Sequence, residues 1–212
     1  MYNIQDSDHI LTKQIKKNHK RFQSDFKKNF AIQEKTLSTL LSGINHAKFN
    51  SLKETKVIWN IAGFVNIISY DLKVIGQDLI LSESEWQKRY YARQGCLLIY
   101  EAINDIFDLL GKEFKTLVLQ NLASDEIKNE LIKLRRKLNT FKKEHFTNLQ
   151  SIRNTAIAHR DNDSLKQIKT IVEINWSDTL QLVTTFDNIL NHLGEILQSL
   201  MNNCLERLDK IE

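Results

Sequence analysis

No proline interrupts the 212 residues, and only six glycines do. Average usage would put about 11 prolines and about 15 glycines in a chain of this length. Proline fixes φ and glycine opens left-handed turns, so a chain poor in both has few means of reversing direction. Collagen, polyproline linkers and proline-rich docking segments are excluded, and a loop-rich β-sandwich is disfavoured. A few long, unbroken elements remain.

Apolar periodicity makes those elements helices. Over 8–42, Leu11, Ile15, Phe22, Phe26, Phe30, Leu37 and Leu40 recur at helical spacing, and Gly43 stands where a C-terminal cap belongs. Over 55–81 the stripe is Val57, Ile61, Phe64, Ile68, Leu72, Ile75 and Leu79. Ser82 and Glu85 have the Ser-x-x-Glu spacing of a capping box. The next helix covers 84–110 through Tyr90, Leu97, Tyr100, Ile103, Phe107 and Leu110, with Gly111 as its stop. A shorter helical piece follows at 113–122.

Ser124-Asp125-Glu126 opens another helix, with acid in its first turn. Ile127, Leu131, Leu134, Leu138, Phe141, His145, Leu149, Ile152 and Ala156 then keep a 4-3 rhythm, with His159 next in line. Turn-formers at 160–163 end it. The segment 164–175 reads equally as a strand or a helical turn. Asn175 or Ser177 caps the last helix, which carries Val183, Phe186, Leu190, Leu193, Leu197, Leu200 and Cys204. The expected fold is all-α: an up-and-down bundle of long antiparallel helices. A cluster of Gly, Asn and Ser near 43–55 separates an N-terminal helical arm (1–50) from the bundle (51–212).

Composition narrows the function classes. With 42% apolar and 26% charged residues, the chain reads as a soluble globular protein. Its most apolar stretch, 57–70, contains Asn60, Asn66 and Ser69 and is too short and polar to span a bilayer. The N-terminal MYNIQDSDHI lacks the apolar core of a signal peptide. A cytoplasmic protein with no membrane partner is expected. Cys96 and Cys204 fall on or beside apolar stripes and read as buried thiols. No phosphate-binding glycine loop, dinucleotide fingerprint or His-Glu-x-x-His is present in the sequence. His192 and Glu195 lie three apart on a helix, which suits a surface or core role better than a metal site, so no cofactor is expected. The first helix carries Lys13, Lys16, Lys17, Lys20, Arg21, Lys27 and Lys28 on its polar side. This is either a solvated face or a stripe facing nucleic acid.

One segment concentrates chemistry: SIRNTAIAHRDND, residues 151–163. Histidine's ordinary pKa lies nearest neutrality, so it can take a proton and return it. Arginine stays charged and grips phosphate with two parallel hydrogen bonds. RNA brings its own nucleophile, the 2′-OH, so a base beside that hydroxyl and a cation on the phosphate suffice for cleavage without a metal. Six positions along a regular helix turn through about 600°, which leaves Arg153 and His159 about 120° apart. A working site therefore needs a broken helix end, a long Arg reach or a second protomer, such as a two-fold dimer supplies. The structural alternative is that His159 caps the helix end with Asp161 as its partner, and that Arg153 pairs with a nearby acid.

With Asn154 directly after Arg153 and small Ala158 before His159, the segment resembles the Arg-x(4–6)-His motif of the HEPN superfamily (higher eukaryotes and prokaryotes nucleotide-binding domains). The ending AHRD resembles HEPN proteins of bacterial abortive-infection and toxin–antitoxin systems. The resemblance covers about 55–210, with the helix 89–110 before the motif helix and another long helix after it. It implies a HEPN-like bundle with an extra N-terminal helix, usually dimeric, with two motifs facing across the dimer. Active members are metal-independent endoribonucleases. Arg153 and His159 would then be the catalytic pair, with Asn154 holding the site and Asp161 orienting His159. Arg160, Lys142 and Lys143 are the expected RNA-binding residues. Glu101 or Asp105 would supply the polar residue that some members place on the preceding helix. The expected partners are RNA, a second copy of the chain and an antitoxin protein. Toxins silenced by a nucleotidyltransferase often carry Tyr two residues after the His. Asp161 stands there in this chain, which argues against that mode of control. The alternative reading is a non-catalytic HEPN-like module that binds RNA, a nucleotide or a protein.

Overall fold

The computed structural model describes the backbone of residues 6–157 and 162–208, and side chains over 10–157 and 162–204. Every regular element among these residues is helical. They are α1 (Asp6–Phe49), α2 (Lys53–Leu81), α3 (Glu85–Leu109), α4 (Gln120–Leu122), α5 (Asp125–Ile152), α6 (Ser164–Glu173) and α7 (Trp176–Leu208). π-helical segments at Phe114–Leu119 and Arg153–Ile157 lead into α4 and continue α5. None of the described helices is long and apolar enough to cross a membrane.

Helices α2, α3, α5 and α7 form an up-down-up-down bundle, in which α2 packs on both α3 and α7, and α5 closes the opposite side. Its interior is the stripe read from the sequence on α7 (Val183 to Cys204) and α5 (Ile127, Leu134, Leu138, Phe141, Leu149, Ile152, Ala156). Helix α1 lies antiparallel along α2 and adds Ile15 and Leu40 to the buried set.

Within this apolar interior a polar knot joins three helices. Ser69 Oγ donates to Asp187 Oδ1 at 2.5 Å, Lys73 Nζ lies 3.1 Å from the same carboxylate and also bonds Ser69 Oγ, and Gln33 Nε2 reaches Ser69 Oγ at 3.4 Å. Three helices meet there: α1, α2 and α7.

Two boundary expectations are corrected and one open choice is resolved. Gly43 does not cap α1, which runs on to Phe49. It is a packing residue: a Cβ there would lie 2.6 Å from Cδ2 and Cζ2 of Trp59 on α2. The stop comes at Ser51, whose φ of 56° is left-handed. Leu52 N–H donates to Ala47 O at 2.9 Å and Ser51 N–H to Lys48 O at 3.3 Å, the paired bonds of a Schellman turn. The Ser82–Glu85 capping box does not form. Ser82 ends α2, donating its N–H to Asp78 O, and Ser84 is the N-cap of α3 without a side-chain bond. Finally, 164–173 is helix, because Asp163 Oδ1 accepts from the N–H groups of Leu165 and Lys166 and starts α6. Gly111 does follow the end of α3, where a Cβ would lie 2.6 Å from the Asp108 carbonyl oxygen. Ser124 Oγ caps α5 and Asn175 Oδ1 caps α7, as expected. Tyr90 departs from its expected place on the buried stripe: it is half exposed, and Ala92, Cys96, Ile99, Ile103 and Ile106 form the buried face of α3 instead.

The two glycine environments predict opposite signs. Overpacking against Trp59 costs about 1–3 kcal/mol, more than the roughly 1 kcal/mol that Ala gains over Gly in a helix, so Gly43→Ala lowers the urea midpoint. Nothing lies within 4 Å of a Cβ at Gly194, so Gly194→Ala raises it. Burial pushes the Cys96 thiol up to about 12, with a bond to Thr179 opposing the rise only weakly. Since the thiolate is the reactive form, Cys96 should resist a thiol reagent at pH 8 in the native protein and react once it is unfolded in urea.

Candidate functional site

Arg153 stands where α5 leaves α-helical geometry. From Arg153 to Ile157 the backbone is π-helical, so each turn holds an extra residue and the regular 100° step is lost. Arg153 thus opens a π-helical continuation of α5, and the rest of the motif, through His159, lies outside the described residues.

Helix α3 holds this turn at two points. Glu101 Oε1 accepts from Arg153 Nε at 2.7 Å, and Asn154 Oδ1 accepts from Arg153 Nη1 at 3.2 Å. The Arg153 guanidinium also lies 5.2 Å from the Tyr100 ring centroid. One turn further on, Arg93 Nη1 donates to the carbonyl of Ala156 at 3.3 Å while its Nε donates to Arg89 O. Arg93 lies within 6 Å of the Trp86 and Tyr90 rings, and both rings are about half exposed.

Below Arg153 the α3–α5 seam continues as a column of rings and cations. Tyr100 stacks on Phe146 at 4.7 Å and 26°. Lys142 Nζ lies 4.8 Å from the Phe146 centroid and 5.2 Å from that of Phe107, and donates to Asn104 Oδ1 at 3.0 Å. Cation–π contacts of this kind hold both cations at fixed positions along the seam.

Of the sequence-derived candidates, the structure brings Arg153, Asn154, Glu101 and Lys142 to one seam. Lys143 is exposed on α5 with no partner among the described residues. His159, Arg160 and Asp161 lie outside the described residues. Asp105 belongs elsewhere: it lines a cavity of about 630 Å³ with Lys53, Lys56 and Glu113 between α2, α3 and the first π-helical turn. His145 packs its ring edge on Phe141 at 4.7 Å, and His192 Nε2 lies 3.0 Å from Glu130 Oε2. The Lys133 bond to Glu130 first, and the His192 contact second, hold that carboxyl below the usual range. No cluster of three or more metal-ligating side chains occurs among the described residues.

Sequence reasoning missed Arg93, Asn104 and the Tyr100–Phe146 stack. Spacing alone holds a partial signal for them: Tyr100, Glu101 and Asn104 fall on one α3 face, and Arg89 and Arg93 lie one turn apart.

On the other side of α5, His145, Asn148, Ser151 and Ile152 face a polar cavity of about 530 Å³ that Glu173, Asp178 and Gln181 complete. The π-helical turn is therefore flanked by a cation-bearing seam and a carboxylate-bearing cavity.

Residues 112–210 match the family model HEPN_AbiU2, described as AbiU2. The match spans a little under half of the chain, and that part is similar to the AbiU2 family of HEPN domains. The matched HEPN region holds α4 to α7 and the π-helical turn with Arg153, and starts later than the 55–210 over which the sequence resemblance was drawn. Glu101 and Arg93, which brace the motif, lie outside it on α3. No curated protein and no solved structure is significantly similar to the chain.

The Glu101–Arg153 pair is partly exposed, at 26% for Arg153 and 47% for Glu101, so it contributes less than about 1 kcal/mol to stability. Its role is to orient. Glu101→Gln should leave the urea midpoint nearly unchanged. It should also speed modification of Arg153 by phenylglyoxal, read by peptide mass spectrometry. An unaltered rate would show that Glu101 does not hold the guanidinium.

Proposed function

We propose that this protein is a metal-independent endoribonuclease of HEPN type, acting as a cytoplasmic homodimer in phage defence or as a toxin with a protein antitoxin. One observation carries the reading. Arg153 is oriented through Nε and Nη1 at the start of the π-helical turn, while its Nη2 makes no bond among the described residues. A guanidinium held at Nε and Nη1 keeps Nη2 as the donor it can offer a phosphate.

In this mechanism the RNA 2′-OH attacks the adjacent phosphorus. His159 takes the hydroxyl proton as general base, and the second copy of the motif across the dimer returns a proton to the departing 5′-oxygen. Arg153 stabilises the charge that develops on the non-bridging oxygens. The P–O5′ bond breaks, leaving a 2′,3′-cyclic phosphate and a 5′-hydroxyl. Asn154 and Glu101 hold Arg153, Asp161 orients His159, and Lys142, Lys143 and Arg160 contact the flanking backbone.

The test uses purified protein with total RNA and tRNA in EDTA. Arg153→Ala should lower cleavage by about 10²–10³-fold, the usual loss for one transition-state donor, without changing the oligomeric state in light scattering. His159→Ala should abolish it. Products ending in a 3′-hydroxyl would contradict 2′-OH attack. Salt-sensitive RNA binding without cleavage would instead support a non-catalytic RNA-binding module, a reading favoured by the commitment of Arg153 Nε to Glu101.

A further inference from the structure

The chain's positive charge is gathered in one place. Between residues 13 and 28, seven Lys and Arg stand against a single acid, Asp25. Over the whole chain 30 Lys and Arg face 26 Asp and Glu, so outside this stretch acids outnumber bases by 25 to 23. The net basicity of the protein is thus a property of the N-terminal half of α1.

The structure gives the cluster a direction. Ile15, Phe22, Phe26 and Phe30 mark the side of α1 turned inward, and at 100° per residue Lys13, Lys17, Lys20, Arg21 and Lys28 fall on the opposite side. All seven bases are exposed, and Arg21–Asp25 at 3.6 Å is their one ion pair among the described residues. Lys13–Lys17, Lys16–Lys20 and Lys17–Arg21 are like charges at i,i+4, a spacing that opposes helix formation. Packing on α2 holds α1 helical despite this, so the outer side is a fixed row of unneutralised cations about 22 Å long.

The N-terminal end of α1 adjoins the start of α7. Leu11 shares a surface cavity with Asp178, Gln181 and Thr185 at the start of α7. Those three residues also line the polar cavity that reaches Ser151 and Ile152, next to Arg153.

We propose that the outer face of α1, from Lys13 to Lys28, docks the phosphate backbone of RNA. A polyanion with evenly spaced charges matches a linear row of cations, and release of its counterions drives the binding. The choice of RNA rests on the ribonuclease reading above.

The experiment uses the full chain and a 2′-O-methylated RNA, which binds but lacks the attacking hydroxyl. Fluorescence anisotropy across a salt series compares wild type with Lys13/Lys16/Lys17/Lys20→Gln and with the matching Lys→Arg variant. Losing four phosphate contacts should lower the slope of log K against log salt by about 3 and weaken binding more than tenfold near 0.1 M salt, while Lys→Arg keeps both. Circular dichroism and melting control for folding. An unchanged slope and affinity in the Gln variant would overturn the proposal. So would wild-type protein that ignores the RNA but binds anionic phosphatidylserine vesicles through the same lysines. The two readings separate cleanly. If Arg153→Ala abolishes cleavage and the Gln variant cleaves with unchanged KM, the docking surface fails and the nuclease stands. If binding depends on the lysines and nothing is cleaved, the surface stands and the nuclease fails.

Discussion

The arrangement of this molecule depends on one polar contact inside an apolar interior, the Ser69–Lys73–Asp187 knot between α2 and α7. Leucine and isoleucine stripes slide past one another at little cost, because dispersion and area burial are indifferent to a shift of one turn. A partly buried ion pair is not indifferent. Displacing α7 by one turn would strand Lys73 and Asp187 without partners, and an uncompensated buried charge costs several kcal/mol. The pair therefore adds little net stability and much specificity. Gln33 carries the same constraint to α1, so three helices share one registration point.

That registration reaches the candidate site through α3 and α5, which pack on the same interior. The motif arginine sits at the end of a helix but takes its orientation from Glu101, 52 positions earlier in the chain. Arg93, 63 positions before Ala156, supports the neighbouring carbonyl of the π-helical turn. A π-helical turn leaves backbone groups that the α pattern would have paired, and partners for them must come from outside the helix. Here α3 supplies one, from Arg93 to the carbonyl of Ala156. Arg153 thus lies in the part of the chain matched to the HEPN family model, whereas Glu101, which orients it, lies on a helix outside the match.

Helix existence was legible in the sequence wherever one face met one neighbour. The α5 and α7 stripes are buried nearly residue for residue as the 4-3 rhythm implies. The reading was weaker on α3, which packs against α2, α5 and α7. There the buried face runs through the small residues Ala92, Gly95 and Ala102, while the larger Tyr90, Tyr100 and Phe107 lie at its margins. Helix ends were legible where a side chain caps them, as at Ser124, Asp163 and Asn175. They were misread where a glycine serves packing, as Gly43 does, and where a serine takes a left-handed turn that a glycine would have announced. Within the site, Arg153 and Asn154 stood out as a local pattern. Glu101 was one of two candidates that only the fold separates, since Asp105 lies about one turn further along the same helix.

The path of the chain carries a kinetic consequence. Helices α1, α2 and α3 each pack on the one just made, through short connections, so their assembly is local and fast. With no X-Pro bond in the sequence, no slow prolyl isomerisation stands in the way of refolding. The exception to locality is α7, which must close back onto α2 across more than a hundred residues of chain. Loop closure of that kind is the slowest search the topology requires, and Asp187 has no cationic partner until it is complete. Docking of α7, rather than formation of any helix, is therefore the step at which the bundle commits to its native pairing.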